Sequence, residues 1–511
     1  MPIRREYIPT YFEPPPSPQV TRIHMIGALI AAAAFVYVVY FYWNASRYPR
    51  GPFPLPLIGN LHQMPMTNLH LHMHELGKQY GHCFTLFLPR PTVIFTDYAH
   101  IKEALIDNGE HFIGRSHAVP ENMLQKEDQT GILIADGPVW REQRKAALRI
   151  MRASQGIMQE QISRSIAEMI KQIDDINVGK PIDMTLPLQL CVGNVINETL
   201  FGYHFKYDES TTFQHFVEKI TFHLEYIRTS KSMLLLQSWP WMRVLPYIGK
   251  YGYDLPQENI SDYQKFIEGE VLKVRDSYDP NHEPSNFVEA YLREMQRNPM
   301  LDLPNLFAVG VDFWLAGMET TSTTLRWSLL YLMKHPDVQE KIRQELAAVL
   351  GAGRAPALVD KPSLPYFTAA LNELQRCANI VSHLLFHACT KDSVICGKFI
   401  PKGTLTMPQV FSVMYEDEYF TDPHEFRPER FLEDDGKTLN KKAMERQLVF
   451  GLGKRNCAGE GIARMELFLI LGSLLSRYRI EAVAPLDFTA VYGTALEPQP
   501  YTCRLVRLQA E

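Results

Sequence analysis

The segment from Phe450 to Gly461 constrains the fold most. It places Cys457 at the end of a glycine-rich loop and directly before a long amphipathic stretch. A helix N-terminus stabilises negative charge through its free N–H groups and its dipole, so a thiolate is favoured over a thiol there. Glycines let a flat cofactor approach the backbone closely, and Arg455 is placed to meet a carboxylate of that cofactor. The segment predicts a metal–thiolate site.

Two other interpretations of this loop differ in strength. A phosphate-binding loop is disfavoured because Lys454 is followed by Arg455 rather than by Ser or Thr. A buried structural cysteine stays open. Seven cysteines in 511 residues, with no C-x-x-C pair, disfavour zinc ribbons, thioredoxin-like sites and a disulfide framework. The cysteine usage indicates a body that faces a reducing compartment.

The N-terminal region predicts a membrane anchor. Met25–Trp43 carries no charge over 19 residues, and aromatic side chains gather at its C-terminal end. A helix of that length spans a bilayer core of about 30 Å. A cleaved signal peptide and a buried soluble helix are the alternatives, and the flanking charges do not decide the orientation. Residues 1–24 form a tail before the span.

The rest of the chain divides into a hinge and one large domain. Four prolines in Tyr48–Asn60 make a stiff, extended segment, so residues 44–63 are assigned as a hinge, with an SH3-type ligand as the alternative. Residues 64–511 contain no repeat or low-complexity linker, which predicts a single, mainly helical domain with small β-sheets. Met233–Leu236 and Trp239–Trp241 lie in a predicted loop, either dipping into the bilayer or simply buried.

Hydrophobic periodicity gives the element bounds. The predicted helices cover about 68–80, 98–108, 138–152, 156–175, 187–201, 212–228, 257–276, 285–297, 304–335, 336–350, 365–379 and 458–478. The predicted strands are Cys83–Leu88, Thr92–Thr96, Val394–Cys396 and Arg504–Leu508.

A polar motif interrupts the longest apolar helix, over about 304–335. Glu319 and Thr320 are costly there unless they face a polar site. The Thr320 hydroxyl is expected to bond the carbonyl of Ala316 and open the helix locally, and Gly317 to remove bulk on the next turn. The predicted result is a groove suited to relaying protons to bound dioxygen. A satisfied polar notch in a core helix is the alternative.

A third motif pairs an acid with two arginines. Glu373 and Arg376 share one helix face at i, i+3, and Arg430 comes from a later loop. A buried bidentate network that holds the cysteine loop is the sharper hypothesis. A surface ion pair is the plainer one.

These three motifs, in this order and at these separations, resemble the cytochrome P450 family. The match runs from the proline hinge to the C-terminus. The anchor and the hinge are similar to the microsomal animal class, and most like its branch of drug oxidases and steroid hydroxylases. The resemblance implies the family's mainly α fold with small β-sheets, with haem between the long central helix and the cysteine loop.

The resemblance also implies residue roles. Cys457 would be the axial ligand of the haem iron, Thr320 and Glu319 would serve oxygen activation, and Glu373, Arg376 and Arg430 would form the structural network. The remaining cofactor-binding residues would be Arg455, Trp140, Arg144, Arg115, His387 and Phe450.

The implied activity is monooxygenation. A thiolate-ligated haem b would direct one oxygen atom into a lipophilic substrate: a sterol or steroid, a fatty acid or a xenobiotic. The chain carries no nicotinamide or flavin fingerprint, so electrons would come from NADPH through a diflavin reductase, with cytochrome b5 as a second implied partner. A peroxide-rearranging haem enzyme and a non-catalytic membrane protein that binds haem or lipid are the alternatives.

Surface charge bears on the partners. The net charge of −5 and the pI near 6.4 argue against nucleic acid. Basic residues crowd the helix over 138–152, and either the reductase docks there or the face is simply solvated. The docking residues would be Arg141, Lys145, Arg149 and Lys454. The implied location is the endoplasmic reticulum membrane, with a single-pass anchor and a cytosolic catalytic domain.

The resemblance places the substrate pocket among largely apolar segments. These are Arg115–Leu133, residues 210–245, Phe307–Ala316, Val381–Leu385 and Tyr492–Leu496.

Overall fold

The computed structural model describes residues 18–65, 67–176, 179–205, 211–351, 354–416, 418–491 and 495–508. The first 17 residues of the predicted tail lie outside these ranges. So do residue 210 and residues 492–494 of the predicted pocket.

Helices make up most of the described chain. They are α1 (Pro18–Ala45), α2 (Leu69–Tyr80), α3 (Tyr98–Lys102), α4 (Gly137–Ala153), α5 (Gln155–Ile176), α6 (Thr185–Phe201), α7 (Thr211–Thr229), α8 (Lys231–Ser238), α9 (Pro246–Gly249), α10 (Leu255–Ser277), α11 (Phe287–Met295), α12 (Leu303–Lys334), α13 (Pro336–Leu350), α14 (Pro365–Ala378), α15 (Val410–Met414), α16 (Lys441–Arg446) and α17 (Glu460–Arg477).

Twelve short strands are described. They are β1 (Cys83–Leu88), β2 (Arg90–Phe95), β3 (Gly114–Arg115), β4 (Pro181–Ile182), β5 (His387–Ala388), β6 (Ser393–Ile395), β7 (Lys398–Ile400), β8 (Leu405–Pro408), β9 (Tyr478–Ala482), β10 (Ala490–Val491), β11 (Glu497–Pro498) and β12 (Cys503–Arg507). The predicted strands and most predicted helices are confirmed to within a few residues at their ends; the helix predicted over 98–108 is α-helical only to Lys102 and continues as a π-helical turn over Glu103–Asp107.

One predicted loop is wrong. Met233–Leu236 lies in α8, which Ser230 caps by accepting a hydrogen bond from the amide of Met233. Met233 and Leu236 face the core, while Leu234 is exposed. A helix of eight residues is too short to show a clear period in an apolar run. A 3₁₀ turn, Pro240–Val244, follows it.

The N-terminal helix stands apart from the core. Among the described residues, His24–Ala45 within α1 is the one segment long and apolar enough to cross a membrane, and none of its tested window is buried. Its last turns contact the body: the ring of Phe41 lies 5.6 Å from that of Phe87 in β1.

The largest sheet brings distant segments together. Its strand order is β1-β2-β8-β5-β3, with β2 and β8 parallel and the other neighbours antiparallel. In this sheet Arg115 of β3 pairs directly with His387 of β5. Two side chains 272 residues apart in sequence are thereby placed side by side at the sheet edge.

The long helix α12 runs through the core and packs against α6, α10, α14 and α17. Gly317 explains part of this packing. A Cβ on Gly317 would lie 2.7 Å from Cδ1 of Ile196 in α6, closer than such atoms can approach. The glycine therefore permits the close approach of α6, and its effect on the groove beside Thr320 stays a prediction.

Candidate haem-thiolate site

The cysteine loop is folded by its glycines and by one backbone hydrogen bond. Gly453 has φ +75°, and a Cβ there would lie 2.1 Å from the carbonyl oxygen of Leu105. The amide of Cys457 donates to the carbonyl of Phe450 at 2.8 Å, which closes the loop before α17 begins at Glu460. The chain therefore reaches Cys457 in one defined conformation.

Cys457 is an exposed residue of the loop, although protein surrounds its thiol group. This burial raises the pKa of the thiol, while the amides of Gly459 and Glu460 and the charge of Arg144 lower it by less. The amides at the helix start favour the thiolate, but burial opposes them with a larger effect. A bound metal ion would favour the thiolate much more strongly, because it deprotonates a coordinating thiol.

Three arginines converge beside this loop. Arg455 donates to the carbonyls of Ile113 at 2.9 Å and Ala135 at 2.7 Å. Arg144 reaches the carbonyl of Asn456 at 2.5 Å and its side-chain oxygen at 2.8 Å. Burial, followed by the charges of Arg115 and Arg144, lowers the pKa of Arg455 to about 8. The cluster therefore carries concentrated positive charge.

The remaining predicted contacts support the same cluster. The guanidinium of Arg455 stacks 3.6 Å from the ring centre of Trp140, whose indole N–H donates to the carbonyl of Ile132 at 3.1 Å. The ring nitrogen Nδ1 of His387 lies 2.6 Å from the carbonyl of Phe112. The structure brings all five side chains of this group together: Arg115, Trp140, Arg144, His387 and Arg455.

Burial and nearby charge define the protonation of His387 and Arg115. Burial lowers the pKa of His387 well below its usual value, and the charge of Arg115 lowers it further. The imidazole is therefore neutral at neutral pH. Arg115 donates from Nε to the carbonyl of Leu133 at 3.0 Å and from Nη1 to that of Phe386 at 3.2 Å.

These residues fit a haem. Carbonyl oxygens satisfy guanidinium N–H groups but do not neutralise the three positive charges, and the acidic groups that oppose them nearby are Asp136, Glu121 and, beside Arg144, Cys457. Cofactor carboxylates would find several charged donors here. No cluster of three or more His, Cys, Asp or Glu side chains suited to a bare metal ion occurs in the described ranges. One accessible thiol beside an arginine cluster suits a metal carried by a flat acidic cofactor.

Phe450 lies at the start of the loop. Its ring centre is 4.7 Å from the guanidinium carbon of Arg464 in α17, and its carbonyl accepts the Cys457 amide. Phe450 thus ties the beginning of the loop to the helix that follows it.

The two polar side chains of the α12 motif bond to different turns of the helix: Thr320 to the preceding turn and Glu319 to the following one. The Thr320 hydroxyl donates to the carbonyl of Ala316 at 2.7 Å, as the sequence predicts. Glu319 is buried, and its Oε1 accepts from the hydroxyl of Thr323 at 3.0 Å. Burial raises the pKa of Glu319, and the nearby charge of Glu497 raises it further. The carboxyl therefore holds a proton more readily than an exposed one.

The acid and the two arginines of the third motif meet in the core. Arg376 makes two hydrogen bonds to Glu373, at 2.7 and 2.8 Å, and Arg430 makes one at 2.9 Å. The side chains of Glu373 and Arg376 are fully buried, and that of Arg430 is 5% exposed. The surface interpretation of this pair is wrong.

The basic face of α4 is partly neutralised. Arg141, Lys145 and Arg149 are exposed on one side of the helix, whereas Arg144 turns inward to the cluster. Glu110 pairs with both Arg141 and Lys454, and Glu294 pairs with Arg149 at 2.9 Å. No ion pair of Lys145 occurs in the part of the chain that the structure describes.

Sequence reasoning missed two residues of this region. Asn456 anchors Arg144, and its position directly before Cys457 was the available signal. Asp312 accepts the amides of Ile132 and Leu133 at 2.7 and 3.0 Å, and burial raises its pKa to about 7. An acid in an apolar helix is costly, and the reasoning applied to Glu319 would have found it.

Comparisons with known proteins agree with this site. Residues 49–503 match the family model described as Cytochrome P450. Cytochrome P450 2E1 of Mus musculus is 33% identical over 461 residues, covering 87% of this chain and 89% of the relative. The same enzyme of Sus scrofa is 33% identical over 487 residues, 91% of this chain and 94% of the relative. Cytochrome P450 2C70 of Rattus norvegicus is 33% identical over 482 residues, 91% and 96% of the two chains.

The predicted family, fold class, activity and cofactor are thereby confirmed. The activity is that of a monooxygenase with haem b, supplied with electrons from NADPH through a reductase. The chain belongs to the cytochrome P450 family.

Proposed function

We propose that this chain oxygenates a lipophilic substrate at a haem whose iron is bound by Sγ of Cys457. The carrying observation is the accessible Cys457 thiol, bordered by two main-chain amides and by the arginine cluster. When bound, a thiolate-ligated haem supplies dioxygen activation, because the thiolate favours O–O cleavage. The protein would position the haem, bind its carboxylates with positive charge and deliver protons to the site.

The haem-binding residues divide by chemistry. Arg115, Arg144 and Arg455 would bind the two carboxylates by charge-assisted hydrogen bonds. Nδ1 of His387 donates to the Phe112 carbonyl, so His387 would donate a further bond from Nε2 only if a bound carboxylate kept its imidazole protonated. Trp140 holds the guanidinium of Arg455 flat through stacking, and Phe450 fixes the loop that presents the sulfur. Each residue therefore has a role that its contacts support.

The direct test is the spectrum of the purified protein. The reduced carbonyl complex is expected to absorb at the wavelength typical of thiolate-ligated haem. A spectrum typical of histidine ligation would contradict the proposed ligand. A protein that binds haem with the thiolate spectrum but consumes no NADPH with any lipophilic compound and reductase would contradict the monooxygenase proposal.

Thr320 and Glu319 are proposed to handle protons. The Thr320 hydroxyl is held against the Ala316 carbonyl, so Oγ1 keeps a free lone pair and accepts or passes a proton at that point of α12. Glu319 is buried beside Gln189, and its Oε1 accepts from Thr323, so its carboxyl lies in a polar setting where it can take up a proton. Burial keeps this carboxyl a good proton store.

Thr320→Ala is expected to uncouple the reaction. Removal of the hydroxyl takes away one positioned proton donor, and such donors contribute about a hundredfold or more to rate. Product formed per NADPH consumed should fall by about tenfold or more, while NADPH consumption continues. Thr324→Ala is the matched control, because its hydroxyl bonds the Thr320 carbonyl at 2.8 Å on the same helix. Unchanged coupling in Thr320→Ala would refute the role.

The partner surface is proposed to lie on α4 and the cysteine loop. Arg141, Lys145, Arg149 and Lys454 present positive charge near the site, which suits an acidic surface of the NADPH-dependent diflavin reductase or of cytochrome b5. Glu110 pairs with Arg141 and Lys454 and Glu294 pairs with Arg149, so Lys145, unpaired among the described residues, is the residue on which docking would depend most.

Lys145→Glu is expected to raise the reductase concentration needed for half-maximal turnover by about tenfold, with little change in the maximal rate. Charges at the rim of an interface act mainly on the association rate, and the effect should shrink at high ionic strength. Lys265→Glu is the control, since Lys265 is an exposed lysine on α10. An equal effect of both variants would show that net charge, and not this surface, governs docking.

The membrane arrangement is a further part of the proposal. α1 would cross the endoplasmic reticulum membrane once, the proline hinge 44–63 would follow, and the catalytic domain 64–511 would face the cytosol. Exposed Trp241, Val244 and Tyr247 form an apolar surface that would contact the same lipid.

A further inference from the structure

The proline hinge packs back against the N-terminal helix. The amide of Leu57 donates to the hydroxyl of Tyr37 at 3.3 Å, and the ring of Phe53 stacks on that of Tyr42 with 5.2 Å between the ring centres. Tyr37 lies eight residues before the end of α1, about 12 Å along the helix axis. The segment over residues 53–60, here called the hinge loop, therefore lies beside the last turns of α1.

The length of the apolar stretch in α1 decides how deep these turns lie in a membrane. Met25–Trp43 is uncharged, and its 19 residues make about 28 Å of helix. A bilayer core is about 30 Å thick, so α1 needs the whole stretch to cross it. Without the turns from Tyr37 onward, residues 25–36 would reach only about 18 Å. A loop beside those turns shares their depth.

The backbone of the hinge loop suits an environment without water. An N–H group without a partner is very costly in hydrocarbon, so non-helical segments occur there only where protein satisfies them. Pro54 and Pro56 have no N–H group. All five remaining amides from residue 54 to residue 60 have acceptors within the protein. Leu55 and Gly59 donate to each other's carbonyls, Leu57 to the Tyr37 hydroxyl, Ile58 to the Pro56 carbonyl and Asn60 to the Phe87 carbonyl.

The side chains that point outward from the hinge loop are apolar. Residues 51–63 contain no Asp, Glu, Lys or Arg, and Phe53, Leu55 and Ile58 are exposed. Leu57 is 65% exposed and has φ +71°, a left-handed conformation that bulky residues rarely adopt. A leucine held outward in this way gains nothing in water, whereas lipid would remove its apolar surface from water.

We infer that the hinge loop is inserted in the lipid bilayer beside α1, with its apolar side chains against acyl chains. This inference rests on the proposed membrane arrangement, in which α1 crosses the bilayer. Lipid is the occupant because the exposed apolar face of the loop continues that of α1, which includes Val36 and Tyr40. Arg47 lies 5.5 Å from the ring centre of Trp43, a cation and an aromatic ring that suit the headgroup level.

The hinge loop is also bonded to the catalytic domain. Asn60 is fully buried, its side-chain oxygen accepts from the amide of Phe87 at 2.8 Å, and its own amide donates to the Phe87 carbonyl at 2.8 Å. The ring of Phe87 in turn contacts that of Phe41 in α1. Helix, loop and strand β1 therefore form one unit, and the catalytic domain sits at a fixed depth against the membrane instead of hanging from a loose tether.

The test uses photochemical crosslinking in the full-length holoenzyme, reconstituted in phosphatidylcholine vesicles. Phe53 or Leu57 is replaced by benzoylphenylalanine, which inserts on illumination into C–H bonds within its reach, and mass spectrometry of the digested protein identifies the adduct. Val36 in α1 is the membrane control. Val359, exposed in the turn Leu358–Ser363, is the control in water. Lipid adducts at Phe53 and Leu57 should match those at Val36 and exceed those at Val359 about tenfold.

Two results would overturn the insertion of the hinge loop alone. Lipid adducts at Val36 with none above the Val359 level at Phe53 and Leu57 would place the loop in water while α1 still crosses the bilayer. Crosslinks from Phe53 and Leu57 to a second copy of the chain would make the loop a contact between protein molecules instead. Absence of lipid adducts at Val36 as well would overturn the membrane arrangement itself, and the carbonyl spectrum of each preparation tests the haem-thiolate proposal independently.

Discussion

Glu373→Gln is expected to lower the free energy of unfolding by about 3–5 kcal/mol and to abolish haem retention, because it leaves two buried guanidinium groups without their counter-charge. Glu373 is fully buried and accepts side-chain hydrogen bonds from Arg376 and Arg430. It also accepts the main-chain amide of Arg427 at 2.9 Å. An amide in place of the carboxylate offers one acceptor oxygen where two are used.

The substitution should also loosen segments outside the ion pair between Glu373 and its arginines. Arg376 also donates to the carbonyl of Met414 at 2.8 Å, and Arg430 donates to that of Thr421 at 2.9 Å. Glu373 therefore indirectly fixes the segment that leads from α15 towards the cysteine loop. A loosened segment would release the loop as well, which is why haem loss should accompany the fall in stability.

Chemical unfolding and the haem-to-protein ratio measure the two effects. Glu429→Gln is the matched control, because Glu429 lies in the same 3₁₀ turn as Arg430 and pairs with Lys341 at 2.7 Å on the surface. Exposed pairs contribute at most about 1 kcal/mol, so the control should stay near wild type. A Glu373→Gln protein with wild-type stability and full haem content would refute the structural role of the network.

The sequence predicted this network only as one of two possibilities, for a physical reason. Glu and Arg at i, i+3 meet on one helix face whether that face is buried or exposed. The deciding contact comes from Arg430, 57 residues from Glu373. Spacing within a helix is local information, whereas burial depends on which segments later pack over it.

The same limit governs the rest of the site. The long helices follow a strong 3.6-residue period, and their bounds were predicted well. The two-residue strands β3 and β5 carry no period at all, yet their pairing sets Arg115 beside His387. The sequence assigned Gly317 only to the groove beside Thr320, and it could not show that the missing Cβ also admits Ile196 of α6. Local chemistry was predictable, and non-local packing was not.

Cys457→Ala is expected to remove the thiolate carbonyl spectrum and all oxygenation. The other cysteines offer no replacement. Five of the seven are buried, and burial raises their thiol pKa values. The Cys457 sulfur alone combines accessibility with neighbouring amides and the cationic Arg144. Without that sulfur, the arginine cluster could still bind the carboxylates of an acidic cofactor, but the metal would lack its soft thiolate ligand.

Cys396, the second exposed cysteine, provides the control variant. Cys396 donates its thiol to Glu103 Oε2 at 2.8 Å, and burial together with that carboxylate raises its pKa to about 12, so it stays protonated. Cys396→Ala should therefore keep the thiolate spectrum, the haem content and product formation. If both variants kept them, the ligand would lie elsewhere in the chain. If Cys396→Ala lost the spectrum and Cys457→Ala kept it, the assignment would pass to Cys396. Loss confined to Cys457→Ala would tie the oxygen chemistry to the loop that the glycines and the Phe450 carbonyl hold in place.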